Sequence, residues 1–144
     1  MFYYSISIYD LSKDTQNSIN YSLKNYENYV EIETTYLLFL HYCLKLNNSD
    51  FSYNCYWEHD DNKKYNYAKK SKLPSDFENV IKKSLRWEIG AHIKLKNLKI
   101  GFGWDMWIYI KSKNPILENE LIFNNQKLFI YTTNKQFWQE NYEK

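Results

Sequence analysis

The stretch from Leu98 to Lys111, LKIGFGWDMWIYIK, constrains this chain more than any other. Read with a period of two, it places Leu98, Ile100, Phe102, Trp104, Met106, Ile108 and Ile110 on one side. Lys99, Gly101, Gly103, Asp105, Trp107, Tyr109 and Lys111 fall on the other. That alternation belongs to a β-strand with one face in a core and one face outward. Fully extended, the stretch would run about 45 Å, well past an ordinary strand. A bend or bulge is therefore expected, at Gly101 or Gly103.

The residues before it supply a partner. A turn at Lys96-Asn97 makes a late β-hairpin that pairs Leu95 with Leu98, Ile93 with Ile100 and Ala91 with Phe102. Every apolar residue then meets an apolar residue, an independent check on the register. The same register sets His92 beside Gly101 and Lys94 beside Lys99 on the outer face, where two like charges must be solvated. Phe2–Tyr9 and Phe51–Glu58 also alternate and read as strands, and Leu128–Thr133 reads as a last strand.

Helices are expected elsewhere. Glu33–Leu46 is nearly all apolar from Tyr36 to Leu44, and its length predicts a central helix buried all round. Thr34 or Thr35 would cap it, and Lys45 suits its negative end. A shorter amphipathic helix is expected near Thr15–Val30. Ser75 and Glu78 make a capping box for a helix bearing Phe77, Val80, Ile81, Ser84 and Leu85, with Gly90 just past its end. Asn114-Pro115 predicts a short helix with Leu117, Leu121 and Ile122, ended by Asn124-Asn125. Asn134 would cap a terminal helix carrying Phe137 and Trp138. Asp60–Leu73 reads as an exposed loop. The element order predicts one α+β domain over residues 1–144, a largely antiparallel β-sheet packed against helices. With three glycines and two prolines, the chain has no room for a long Gly/Pro linker.

Bulk properties exclude several functions. A net charge of +2 implies no strong partner sign. Arg86 is the one arginine, which counts against nucleic-acid readout by bidentate contacts. The first ten residues, MFYYSISIYD, have no basic region followed by an apolar run, and the longest apolar run, Tyr36–Leu40, is too short for a membrane span. Cys43 and Cys55 do not make a disulfide framework, so a cytoplasmic protein with reduced thiols is expected.

Catalytic chemistry is equally sparse. His41, Cys43, Cys55 and His59 can be written as a four-ligand metal set. On a helix, however, residues two apart point about 200° away from each other, so His41 and Cys43 cannot share a metal. No nucleophile signature, P-loop, dinucleotide fingerprint or HExxH pattern occurs. The expectation is a protein that is not an enzyme, with no cofactor and no metal. Glu58, Asp60 and Asp61 form an acidic turn. Asn62–Lys72, with Lys63, Lys64, Tyr65, Tyr67, Lys69 and Lys70, is the one stretch suited to single-stranded nucleic acid, holding backbone with lysines and stacking bases on tyrosines. The outer face of the organising stretch offers Asp105, Trp107 and Tyr109 above Gly101 and Gly103, the ingredients of a protein interface unless a helix covers them.

Phe102-Gly103-Trp104-Asp105-Met106-Trp107-Ile108-Tyr109-Ile110 resembles an F-G-aromatic-D-x-aromatic-x-Y-I strand of immunity proteins from bacterial polymorphic-toxin and contact-dependent growth-inhibition systems. The short helix expected after it and the Leu128–Tyr131 strand are similar to the elements that follow in that family. The resemblance implies a small cytoplasmic protein that binds a cognate toxin domain stoichiometrically and blocks it without catalysis. Asp105, Trp107 and Tyr109, with Glu58, Asp60 and Asp61, are the partner-binding residues expected on this reading.

Overall fold

The computed structural model describes residues 1–11, 26–47, 50–58, 67–71, 73–103 and 106–142. The elements run β1 (Phe2–Ser7), α1 (Tyr26–Leu46), β2 (Phe51–Glu58), β3 (Tyr67–Ser71), α2 (Pro74–Leu85), β4 (Ile89–Lys94), β5 (Leu98–Phe102), β6 (Ile108–Ser112), β7 (Glu120–Phe123), β8 (Gln126–Thr132) and α3 (Lys135–Tyr142). Among the described residues, one eight-stranded sheet has the order β3-β2-β4-β5-β6-β1-β8-β7. Every neighbouring pair is antiparallel. The class is α+β, as the order of sequence signals requires.

One face of the sheet is apolar. Tyr4 and Ile6, Ile108 and Ile110, Ile100 and Phe102, and Ala91 and Ile93 lie side by side through the registers of β1, β6, β5 and β4. All are buried, and α1 and α2 cover them with Tyr36, Phe39, Leu40, Phe77 and Ile81. Ile93 pairs with Ile100 and Lys94 with Lys99, as the alternation predicts. Phe77 meets Phe51 edge-on at 5.1 Å between ring centroids, and Phe39 meets Phe123 at 5.8 Å. Such contacts, not helix propensity, hold α1 and α2 in place.

The helices are tied to each other and to the sheet by a few polar groups. Arg86 donates from Nε and Nη2 to the two carboxylate oxygens of buried Glu33, at 2.9 and 2.8 Å. The Tyr36 hydroxyl accepts from the Ile8 N–H and donates to the Met106 carbonyl. Asn47 donates to the Cys43 carbonyl at 2.8 Å and accepts from the Asn97 N–H at 2.7 Å. It thereby joins the end of α1 to the β4–β5 turn.

Several expectations are corrected. Leu98–Lys111 is not one bent strand but the hairpin β5–β6, closed by the Gly103 N–H donating to the Trp107 carbonyl at 2.8 Å, with Met106 at φ 64°. Neither glycine takes a positive φ. They are small because rings lie on them: a Cβ at Gly101 would sit 2.5 Å from the Tyr142 ring, and one at Gly103 2.4 Å from the Tyr109 ring. The expected 114–124 helix is absent. Asn124 and Asn125 hold φ of 53° and 58°, so they turn β7 into β8 as a two-residue hairpin, a geometry asparagine tolerates.

Helix boundaries also move. The Ser75 capping box does not form, because α2 starts at Pro74 with Leu73 as its cap residue. It ends before Gly90: Trp87 takes φ 59°, and the Glu88 and Trp87 N–H groups close a Schellman motif on the Lys83 and Ser84 carbonyls. The Thr34 and Thr35 hydroxyls donate to the Val30 and Glu31 carbonyls inside α1 rather than capping it. Residues 67–71 of the expected loop pair with β2 as β3. The helix expected near Thr15–Val30 lies outside the described residues up to residue 25, and its last part belongs to α1. Among the described residues, no helix is long and apolar enough to cross a membrane.

Candidate functional site

The outer face of the sheet carries the sequence-predicted interface, and a helix covers part of it. The Asn134 side chain accepts from the Phe137 N–H at 2.7 Å, the cap expected for α3. That helix lays Phe137, Trp138 and Tyr142 on the outer side of β4–β6. Tyr109 packs 4.7 Å from Phe137 and 5.5 Å from Tyr142 between ring centroids. Tyr109 is thus half-buried under α3, and burial raises the pKa of its phenol above the ordinary value. Burial raises that of Tyr142 too.

Trp107 sits apart from this cluster, half-buried between Tyr9 and Tyr131 at 6.3 and 6.0 Å. The Tyr131 hydroxyl donates to the Tyr9 carbonyl and accepts from the Leu11 N–H, which fixes its ring against Trp107. Asp105, Asp60 and Asp61 lie outside the described residues, as do His59 and the Lys63, Lys64 and Tyr65 portion of the basic stretch. Glu58 ends β2, where its backbone pairs with Ile89. The structure therefore brings Trp107 and Tyr109 to one face but into two separate aromatic clusters.

The metal candidates take other roles. His41 on α1 faces Glu78 on α2 at 3.0 Å. Cys43 is buried among apolar side chains, which pushes its thiol up to about 12. Among the described residues, no three His, Cys, Asp or Glu side chains converge as a metal site.

A different surface has the chemistry of an interface. The sheet covers only one side of α1, so the helix is not buried all round as its apolar run predicts. Val30, Leu38, Tyr42 and Leu46 form an i, i+8, i+12, i+16 stripe along its solvent side, and Leu46 is 63% exposed. The stripe runs about 24 Å along the helix axis. At its C-terminal end it borders an open groove of about 290 Å³, walled by Phe39, Tyr42, Leu46, Pro115, Ile116 and Leu121. Leu117, 84% exposed, lies beside the far wall.

The 113–119 wall is held in place by local bonds. Ser112 Oγ donates to the Asn114 carbonyl and accepts from the Asn114 N–H. The Ile116 N–H donates to the Tyr4 hydroxyl at 2.8 Å, and the Asn119 carbonyl accepts from the Ile130 N–H. A groove fixed in this way loses less entropy on binding than one that must form around its ligand. Sequence reading missed the stripe because it is embedded in a continuous apolar run; the four-residue recurrence of Leu38, Tyr42 and Leu46 was the available signal.

Comparison with protein-family models, with curated proteins and with solved structures finds no match for this chain.

Proposed function

We propose that this chain is an immunity protein that binds a cognate bacterial toxin domain stoichiometrically and neutralises it in the cytoplasm without catalysis of its own. The observation that carries the reading is the exposed apolar stripe of α1 with its preformed groove. An exposed apolar strip beside polar surroundings is the usual centre of a protein–protein contact, and a long aromatic such as Tyr42 is suited to be its anchor. The likeness in sequence of Phe102–Ile110 to the immunity-protein motif supplies the kind of partner, although in this chain those residues cross the β5–β6 turn instead of forming one strand. An interface of about 1,600 Å² would take in the stripe, the groove and neighbouring charged residues.

The test uses the tagged full chain as bait in lysate of the source cell. The expected result is one stoichiometric partner with a C-terminal domain that stops growth when expressed alone and is silenced by co-expression of this chain. Leu46→Asp should abolish both capture and rescue. A partner without toxicity, or rescue that survives Leu46→Asp unchanged, would overturn the reading.

A further inference from the structure

The outer face carries a second feature that the proposed interface does not use. Lys70, Ser52, Lys94, Lys99 and Lys111 are successive register partners across β3, β2, β4, β5 and β6. Register partners point to the same face, so this is one row of lysines, broken by a serine, crossing the sheet. Like charges directly opposite one another destabilise a sheet. Lys94 and Lys99 are exposed, and among the described residues neither has a carboxylate within ion-pair distance.

Beside this pair the sheet and α3 enclose an open cleft of about 510 Å³. Lys94 and Lys99 stand on it with Ser52, Asn54 and His92, and half-buried Tyr142, backed by the fully packed Trp138, forms its α3 side. Among the described residues, none that lines it is acidic. Directly opposed lysines have Cβ atoms about 5 Å apart, so both ammonium groups can reach one phosphate. The Ser52 hydroxyl and Asn54 amide add neutral donors on the next strand. His92 is held neutral: burial, and then the Lys99 charge, push it down to about 4, so it can accept or donate one hydrogen bond without adding charge. Its Nε2 is buried with no hydrogen-bond partner among the described residues. The volume far exceeds a bare phosphate and falls in the range of small-ligand sites.

We propose that this cleft binds a nucleotide, its phosphate between Lys94 and Lys99 and its base toward Tyr142. The lysine pair, with no carboxylate partner among the described residues, calls for a compact anion, and Tyr142 with the neutral donors calls for a flat, hydrogen-bonding body attached to it. A free nucleotide and a nucleotide within a single strand present the same chemistry. The site lies across the sheet from the α1 stripe, so it stands whether or not that stripe binds a toxin.

The test is a calorimetric titration of the full chain with adenosine 5′-monophosphate, with oligo(dT) and with inorganic phosphate, at low and moderate salt. The expected result is saturable binding of one nucleotide, weakened at least tenfold in Lys94→Ala/Lys99→Ala, with a melting temperature no lower than that of the unmodified chain. Adenosine monophosphate binding as tightly as oligo(dT) identifies a free nucleotide as ligand. Oligo(dT) binding at least tenfold tighter, with a steep loss in salt, identifies a strand. Inorganic phosphate binding as well as the nucleotide, no saturable binding of any probe, or full binding in the double variant would overturn the proposal. Leu46→Asp should leave every titration unchanged.

Discussion

Ile100 and Gly101 are neighbours on β5 that face opposite sides of the sheet and are packed by different rules. Ile100 is fully buried among aliphatic residues that repeat across β4, β5, β6 and β1. Gly101 lies beneath the Tyr142 ring, where any side chain would collide. The inner face is thus a continuous apolar layer sealed by two helices. The outer face is a mosaic: aromatic rings seated on glycines under α3, Trp107 in its own cluster, and the exposed Lys94–Lys99 pair. Strand alternation assigns residues to faces, but only the covering elements decide what each face is for.

The contrast is broken most severely from the inner side. Ile108→Ala empties a fully buried position and should cost about 3 kcal/mol in chemical denaturation. A loss below about 1 kcal/mol would mean the apolar layer can collapse to fill the gap, which close packing does not allow.

On the outer face the equivalent injury is adding atoms. Gly101→Val should cost about 2 kcal/mol by pushing Tyr142 and α3 away. Tyr142→Ala in the same chain should recover much of that cost, since the two positions are in contact and their effects cannot be additive. Strict additivity would show that α3 does not rest on Gly101.

A titration separates the faces without large structural damage. His92 has a folded pKa of about 4 against 6.5 when unfolded, lowered first by burial and then by Lys99. Its contribution is therefore complete above pH 6.5 and is lost as pH falls toward 4, because the unfolded chain takes up the proton more readily. Between pH 6.5 and 5 the loss should be about 1.5 kcal/mol, and His92→Gln should flatten that portion of the stability profile. An unchanged slope in the variant would show that His92 is solvated and that α3 does not shield it.

The smallest expected effect concerns the lysine row. Lys99→Thr removes one of two opposed charges and adds a residue suited to strands, so it should stabilise the fold by a few tenths of a kcal/mol, and by less in high salt. A loss of stability would show that the Lys99 stem contributes packing that the register does not reveal.

The sheet was legible where alternation and pairing reinforced each other. The β4–β5 register followed from matching Ile93 to Ile100, because a one-residue slip would have turned every isoleucine outward. The α3 cap at Asn134 was legible for the same local reason. Period two could not distinguish one long strand from two strands that reverse at Gly103 to Trp107, since a hairpin can preserve the alternation through its turn. Asn124-Asn125 suits a helix stop, but two residues that tolerate positive φ in succession are equally the signature of a tight hairpin.

The candidate interface was the least legible feature. An apolar run such as Tyr36–Leu44 does not reveal which of its residues the sheet will cover, because that depends on the helix's rotation about its own axis. Tyr36, Phe39 and Leu40 turned inward, while Leu38 and Tyr42 remained in solvent. On the other face, Trp107 and Tyr109 shared a strand side with a lysine, and the sequence held no sign of where α3 would lie.

One measurement tests the functional account most directly: calorimetric titration of the captured toxin domain with the unmodified chain, Leu46→Asp and Trp107→Ala, with a thermal melt of each. The account predicts that Leu46→Asp weakens binding by about 2 kcal/mol or more at an unchanged melting temperature. It predicts that Trp107→Ala keeps its affinity and melts earlier, because Trp107 packs between Tyr9 and Tyr131. Full affinity in Leu46→Asp together with lost affinity in Trp107→Ala would contradict the account and return the interface to the outer face of the sheet.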